Sequence, residues 1–442
     1  MAATEIRLTL IKITMHTKRF RKLDAGLCLQ AVEKCFERKW QRDDILTFLE
    51  EFTGTAREDL LYEYVTGRRD ARREAARSAA LYLQDLVEDI LAGNCPEEMD
   101  SVKIRKKPDG ATGKMRDIAL LCIPHQLLNH VAVLMMEPLL QARLLPHQHA
   151  SIPGRGQSTL KRQAFKFLHR DLRIRCHQKI DVIHAYASTQ YQVCIDLVKK
   201  ECPKATELIC LLEYLATLAP GGHLIIGGYL DAWLFNFVMS YAMDYAMQIT
   251  VTRRGKARPC LIRCISYMDD VGLFAANETA IKRAIRRLNA WMSRHLGLEV
   301  RTSTGIIHML TEAEEKARKS LSGSRRGCSV FDMGGFRMAR THITIRRRTF
   351  RRIRRQLLRA AAELKETGTI RIIRARVLIS YYGIMKQTDA RRLLEKYNVE
   401  NLMAVCKKVT SFHGRKEHRE RMDHINALFE RRKHRIAAVC NG

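Results

Sequence analysis

The chain has 442 residues, enough for two or three structural units, and carries 78 Lys and Arg against 47 Asp and Glu, a net charge of +31. An excess of that size implies polyanionic partners. The 13 cysteines form neither a CxxC pair nor an evident zinc pattern, and an odd count without a secretory leader suggests reduced intracellular thiols and a cytoplasmic protein. The longest apolar region, Leu224 to Met247, is interrupted by Asp231, Asn236 and Asp244, so no membrane partner is expected.

Residues 1–100 read as a helical N-terminal region. Leu10-Ile11-Lys12-Ile13 is a short mixed run, unlike a signal peptide. Ala25 to Glu51 and Ala71 to Ala92 have helical composition with Leu60 to Tyr64 between them, and Cys95-Pro96 marks the end. The region either packs on the next part of the chain or binds a partner. Next, Lys103 to Ile118 places cations on both sides of Pro108-Asp109-Gly110 and Thr112-Gly113, which favour turns. Such cations suit a triphosphate, although a solvated basic loop reads the same way. In Ser151 to Gln157, Gly154-Arg155-Gly156 lets backbone approach a strand while Arg155 reaches phosphate; a plain Gly-rich loop before the helix-like run Ser158 to His169 is the alternative.

Asp181 follows a short polar-apolar run that ends a candidate strand, and Tyr186 comes five positions later. Pro220 to Asn236 is Gly-rich, and Gly227 permits close approach of a template or nucleotide. Asp269 lies 88 positions after Asp181, in Ser266-Tyr267-Met268-Asp269-Asp270-Val271. Apolar arms flank this polar tip, which predicts a β-hairpin with two adjacent carboxylates. The carboxylates repel unless a cation sits between them, and hard oxygen donors suit Mg²⁺. Three carboxylates from two strands can hold two metals about 3.5–4 Å apart for phosphoryl transfer. Ile281 to Leu296 has helical apolar spacing. Between Arg337 and Arg376 there are 14 Arg or Lys against Glu363 and Glu366, with Leu357, Leu358, Ala361 and Leu364 among them. That segment reads as a basic helix with one apolar side, suited to nucleic acid, to solvent or to a membrane surface.

In this order the motifs resemble those of reverse transcriptases, over about Lys103 to Lys416. Tyr267-Met268-Asp269-Asp270 resembles the active-site hairpin, and Asp181 with Tyr186 the first palm motif. Phe331-Asp332-Met333-Gly334-Gly335-Phe336 is similar to the primer-grip turn, and Ser380 to Lys386 to a C-terminal segment of bacterial members. Asp231-Ala232 departs from the family's Ser-Gln, which removes a familiar template or nucleotide contact. The resemblance implies an α+β right-hand polymerase. Residues 101–336 would be fingers and a palm with a short antiparallel sheet, and 337–442 a mainly helical basic thumb. It implies an RNA-directed DNA polymerase with Asp181, Asp269 and Asp270 as catalytic metal ligands for two Mg²⁺, or Mn²⁺. Lys114, Arg116, Tyr186 and Gly227 would meet the nucleotide. Arg155, Gly334, Gly335, Arg351, Arg352, Arg354 and Arg355 would meet nucleic acid. Implied partners are template RNA, DNA product and dNTPs, with a non-coding RNA or accessory protein. Within the family the chain more closely resembles compact bacterial or phage enzymes of retroelements, retrons and antiphage defence. Untemplated or protein-primed synthesis, and a non-catalytic nucleic-acid scaffold, are the alternative readings.

Overall fold

The computed structural model describes residues 20–94, 102–108, 115–311, 313–314, 317 and 329–440. It is a mixed, predominantly helical α+β structure with small sheets. The chain opens with helices α1 (Ala25–Phe36), α2 (Asp43–Thr53), α3 (Arg57–Thr66) and α4 (Asp70–Leu91). Asp24 caps α1 by accepting the Leu27 N–H at 2.6 Å, satisfying one of its open amides. The expected helical run from Ala25 to Glu51 is therefore two helices, parted by a turn at residues 37–42. The proposed end at Cys95-Pro96 and the run at Leu10 to Ile13 lie outside the described residues.

A two-stranded hairpin comes next, β1 (Lys103–Pro108) against β2 (Met115–Leu120), and then the buried helix α5 (Ile123–Arg143). After it come β3 (Gln148–His149), α6 (Gln157–Arg170), β4 (Cys176–Val182), α7 (Ala185–Ser188), α8 (Tyr191–Glu201) and α9 (Thr206–Leu218). The long helix α10 (Tyr229–Gln248) is apolar on most sides because it runs through the core. It leads to the small hairpin β5 (Thr250–Arg253) and β6 (Lys256–Pro259), then to β7 (Arg263–Tyr267) and β8 (Asp270–Ala275). Helix α11 (Glu278–Leu296) buries Ile281, Ala284, Leu288 and Met292, the face that its sequence spacing predicts. Strands β9 (Val300–Thr302) and β10 (Ile307–His308) complete the central sheet.

That sheet has the order β10-β4-β8-β7-β3, with β9 also on β4. Pleating sends alternate side chains to opposite faces. Ile180, Val182, Leu273 and Ala275 join the main core with α1–α5 and α8–α11. Ile265 and Phe274 join a second core beneath α6. That core also takes in β11 (Phe331–Met333) and β12 (Phe336–Met338), which form a three-stranded sheet with β13 (Ile343–Ile345). Buried Arg340 ties this sheet to the end of α6 by donating to the carbonyls of Leu168 (2.6 Å) and Ile174. The N-terminal helices share the main core, so they are packed on the sheet-bearing part of the chain.

The last part is helical: α12 (Arg347–Thr367), α13 (Ile372–Lys386), α14 (Arg391–Lys396) and α15 (Val399–Cys440). These helices enclose a third core from Ile345 to Cys406. The expected boundary at 336/337 falls inside β12, because β11–β13 pair as one sheet; the change of core comes at Ile345. The basic segment is also more divided than its composition suggests, supplying β12, β13, α12 and the start of α13. Among the described residues no helix is long and apolar enough to cross a membrane.

Candidate active site

The hairpin expected around Asp269 is formed by β7 and β8, with Tyr267 opposite Asp270. Met268 and Asp269 make the two-residue connection, and Met268 takes a positive φ of 54°. Positive φ at the first loop position suits the tight turns that match strand twist. Asp269 thus sits at the tip, while Asp270 already belongs to β8. Strand β4 pairs antiparallel with β8 and puts Asp181 opposite Asp270. The Val182 N–H donates to the Asp269 carbonyl at 3.2 Å, which fixes the tip against the end of β4.

The Val182 N–H bond to the tip keeps Asp181 close enough to Asp269 for its charge to act on the Asp269 carboxyl. Burial pushes the Asp269 carboxyl up to about 6, and the charges of Asp181 and Asp270 add to the rise. Two cations answer the remaining charge. Arg301, paired with Asp181 across β9 and β4, donates from Nε at 2.9 Å and Nη2 at 2.7 Å to Asp181 Oδ2. Lys179 Nζ lies 3.2 Å from Asp270 Oδ1. Among the described residues no three His, Cys, Asp or Glu side chains converge as a ready-made metal cage. The donor set nevertheless fits a hard cation, because Asp181 and Asp269 are neighbouring carboxylates with oxygen donors, while Asp270 is engaged by Lys179. Sequence reading missed both cations. Alternation along β4 would have put Lys179 on the face of Asp181, whereas the Arg301 pairing depends on a strand register that no local pattern gives.

Tyr186, on α7, stacks on Phe235 with ring centroids 5.5 Å apart. Burial raises its phenol pKa, with further upward contributions from the charges of Asp231 and Asp269. Gly227 has φ 118°, and a Cβ there would lie 2.6 Å from the Ala119 carbonyl. The Ala119 N–H in turn donates to the Ile226 carbonyl at 2.8 Å. Gly227 therefore lets the β1–β2 hairpin dock on the Gly-rich loop, a close approach by the protein's own backbone. Asp231 is 1% exposed and anchors that loop from below. Its Oδ1 accepts from the Ile225 N–H at 2.8 Å and the Tyr191 hydroxyl at 3.1 Å. Oδ2 presses on Gly228, where a Cβ would lie 1.7 Å away. Burial pushes this carboxyl up to about 6.

Arg116 is on β2 opposite Lys107, while Lys114 and the hairpin tip lie outside the described residues. Arg155 turns one guanidinium nitrogen inward, donating to the Leu145 carbonyl at 2.7 Å. Gly334 and Gly335 form the β11–β12 turn, both with positive φ. A Cβ on Gly334 would meet Leu160 of α6 at 2.5 Å. Arg351, Arg354 and Arg355 are exposed on α12 and Arg352 is half-buried; Arg354 Nε donates to the Tyr397 hydroxyl at 2.9 Å. The α12 arginines are carried by a separate core from the carboxylates. A cavity of about 1010 Å³ lies between α1, α5 and the start of α10, where His130 stacks on Tyr229 at 4.0 Å. Gly227 and Arg155 line it, but none of the three aspartates does. No protein-family model matches the chain, and no characterised protein is significantly similar to it.

Proposed function

We propose that the chain is an RNA-directed DNA polymerase that adds deoxynucleotides to a 3′-hydroxyl. The observation that carries this reading is the β4–β8 register, which sets Asp181 opposite Asp270, with the Val182 N–H bonded to the Asp269 carbonyl at the tip of a Tyr-Met-Asp-Asp hairpin. The ordered resemblance to reverse transcriptases supplies the substrate class. In this reading the central sheet is the palm, β1–β2 with α5 the fingers, and α12–α15 the thumb of a right hand.

Asp181 and Asp269 hold Mg²⁺, with Asp270 as the third donor. Bound Mg²⁺ would activate the attacking hydroxyl and neutralise the leaving pyrophosphate. Lys114 and Arg116 meet the triphosphate. Tyr186 lies beneath the sugar and excludes a 2′-hydroxyl. Arg351, Arg352, Arg354 and Arg355 follow the backbone of the RNA–DNA duplex. The compact motif series fits a bacterial or phage retroelement or antiphage defence enzyme, working with a non-coding RNA or an accessory protein. All three carboxylates are present, which speaks against a purely structural nucleic-acid scaffold.

The test is primer extension on an RNA template with dNTPs and Mg²⁺. Wild type extends, and Asp269→Asn abolishes extension while keeping its helical circular-dichroism spectrum. In the same assay Tyr186→Ala raises the use of ribonucleotides relative to deoxynucleotides. Equal extension by wild type and Asp269→Asn sinks the assignment.

A further inference from the structure

We infer that Arg301 is the resident counter-cation of the carboxylate pair: it yields Asp181 to a divalent cation and then takes a phosphate oxygen of the incoming nucleoside triphosphate. This rests on the polymerase reading and assigns a phosphate-binding role to a residue that none of the resembling motifs contains.

The first support is geometric. Arg301 and Asp181 are register partners on β9 and β4, so their backbones are fixed side by side. Two of the guanidinium donors, Nε and Nη2, fall on one oxygen, Asp181 Oδ2. The side chain of Arg301 is 63% exposed, whereas that of Asp181 is 16% exposed. The guanidinium can therefore swing outward without disturbing any core. Lys179 differs. Its side chain is 11% exposed, so it is held at Asp270 by its surroundings and has no comparable freedom.

The second support is charge. Of the three carboxylates, Asp181 is paired with Arg301 and Asp270 with Lys179. A divalent cation on Asp181 brings two positive charges to the place where Arg301 already contributes one. Like charges at that distance repel, and the exposed group moves. The planar guanidinium fork matches a phosphate as well as it matches a carboxylate. A nucleotide entering with the cation would carry the nearest fresh anion. Arg301 thus neutralises Asp181 before the substrate arrives and the polyphosphate afterwards.

The consequence is a pair of opposite effects. Removing the guanidinium leaves Asp181 free for the cation and strengthens metal binding. The same change removes a phosphate contact and weakens nucleotide binding. A residue needed only to hold β9 in place would weaken both.

The experiment uses the full chain and two binding measurements that need no turnover. Free Mn²⁺ is titrated by electron paramagnetic resonance in the absence of nucleotide. Arg301→Gln binds Mn²⁺ about three- to fivefold more tightly than wild type, the scale of an exposed ion pair. Binding of dTTP is then measured with Ca²⁺ in place of Mg²⁺. Arg301→Gln binds dTTP about fivefold or more weakly, and Arg301→Lys recovers part of the loss. Asp269→Asn serves as the control that loses Mn²⁺. If Arg301→Gln binds Mn²⁺ no more tightly than wild type, or binds dTTP equally well, the inference is overturned while the metal site stands. If wild type shows no Mn²⁺ binding that depends on Asp269, the polymerase reading falls and the role of Arg301 falls with it.

Discussion

Asp231 occupies a position where water cannot help it. The fold gives it two donors, the Ile225 N–H and the Tyr191 hydroxyl, and closes Gly228 over its second oxygen. Burial outweighs those hydrogen bonds and raises its pKa from 3.8 to about 6. A raised folded-state value means that the native protein holds this proton more tightly than the unfolded chain does. The resulting stability is present below 3.8 and is lost as pH rises through about 6. Asp231→Asn keeps an acceptor for Ile225 and carries no charge. Relative to wild type it should become more stable across that window, by about 3 kcal/mol at neutral pH and not at all near the lower limit. Thermal unfolding of both proteins against pH checks this, and parallel curves would refute it. The sequence showed Asp231 as a departure from a family pattern. It did not show that the carboxylate faces inward to hold the loop, because Tyr191 lies 40 positions away and on another helix. Asp181, Asp269 and Asp270 were legible for the opposite reason: two short local patterns carry them.

Helix α12 is where composition and packing part company. Its sequence offers Leu357, Leu358, Ala361 and Leu364 as an apolar side, yet Leu358 is 46% exposed and Ala361 is exposed too. The buried line is Ile353, Leu357 and Ala360, one stripe at helical spacing, and it faces the core shared with α13 and α15. With that stripe fixed, Arg351, Arg354 and Arg355 point away from the core. Replacing Arg351, Arg352, Arg354 and Arg355 by Gln should weaken binding to an RNA–DNA duplex and flatten its salt dependence, since each lost phosphate contact releases fewer counterions. The loss should be similar across sequences, because phosphate contacts position without specifying. Binding titrations at several salt concentrations measure both quantities; an unchanged slope would remove α12 from the interface. In the β1–β2 hairpin the turn-favouring residues were legible, since they lie next to each other in the chain, whereas the strand pairing on either side was not. Helix faces depend on distant partners, which the segment itself does not name.

At the scale of the whole molecule, the mixed α+β class and the helices after Ile345 were expected from the family resemblance, while charge and apolar spacing by themselves gave only a basic helix between Arg337 and Arg376. The joining of the first helices to the last one was not expected. Helix α15 extends past its own core to reach α3, where Phe429 meets Tyr62 edge to face at 5.6 Å and Ile425 is 3% exposed. Phe429→Ala should destabilise the chain by about 1–2 kcal/mol, and amide exchange in α3 should quicken first. Uniform exchange with unchanged stability would show that the contact carries nothing.

That contact also sets an order of events. Tyr62 and Phe429 stand near opposite ends of the chain, and joining them closes a loop that holds almost every other element. Closing so long a loop costs least once the intervening cores have already shortened it. During synthesis the face of α3 that receives α15 stays uncovered until the chain has grown from Tyr62 as far as Phe429. Helix α3 is therefore completed by a helix made long after it.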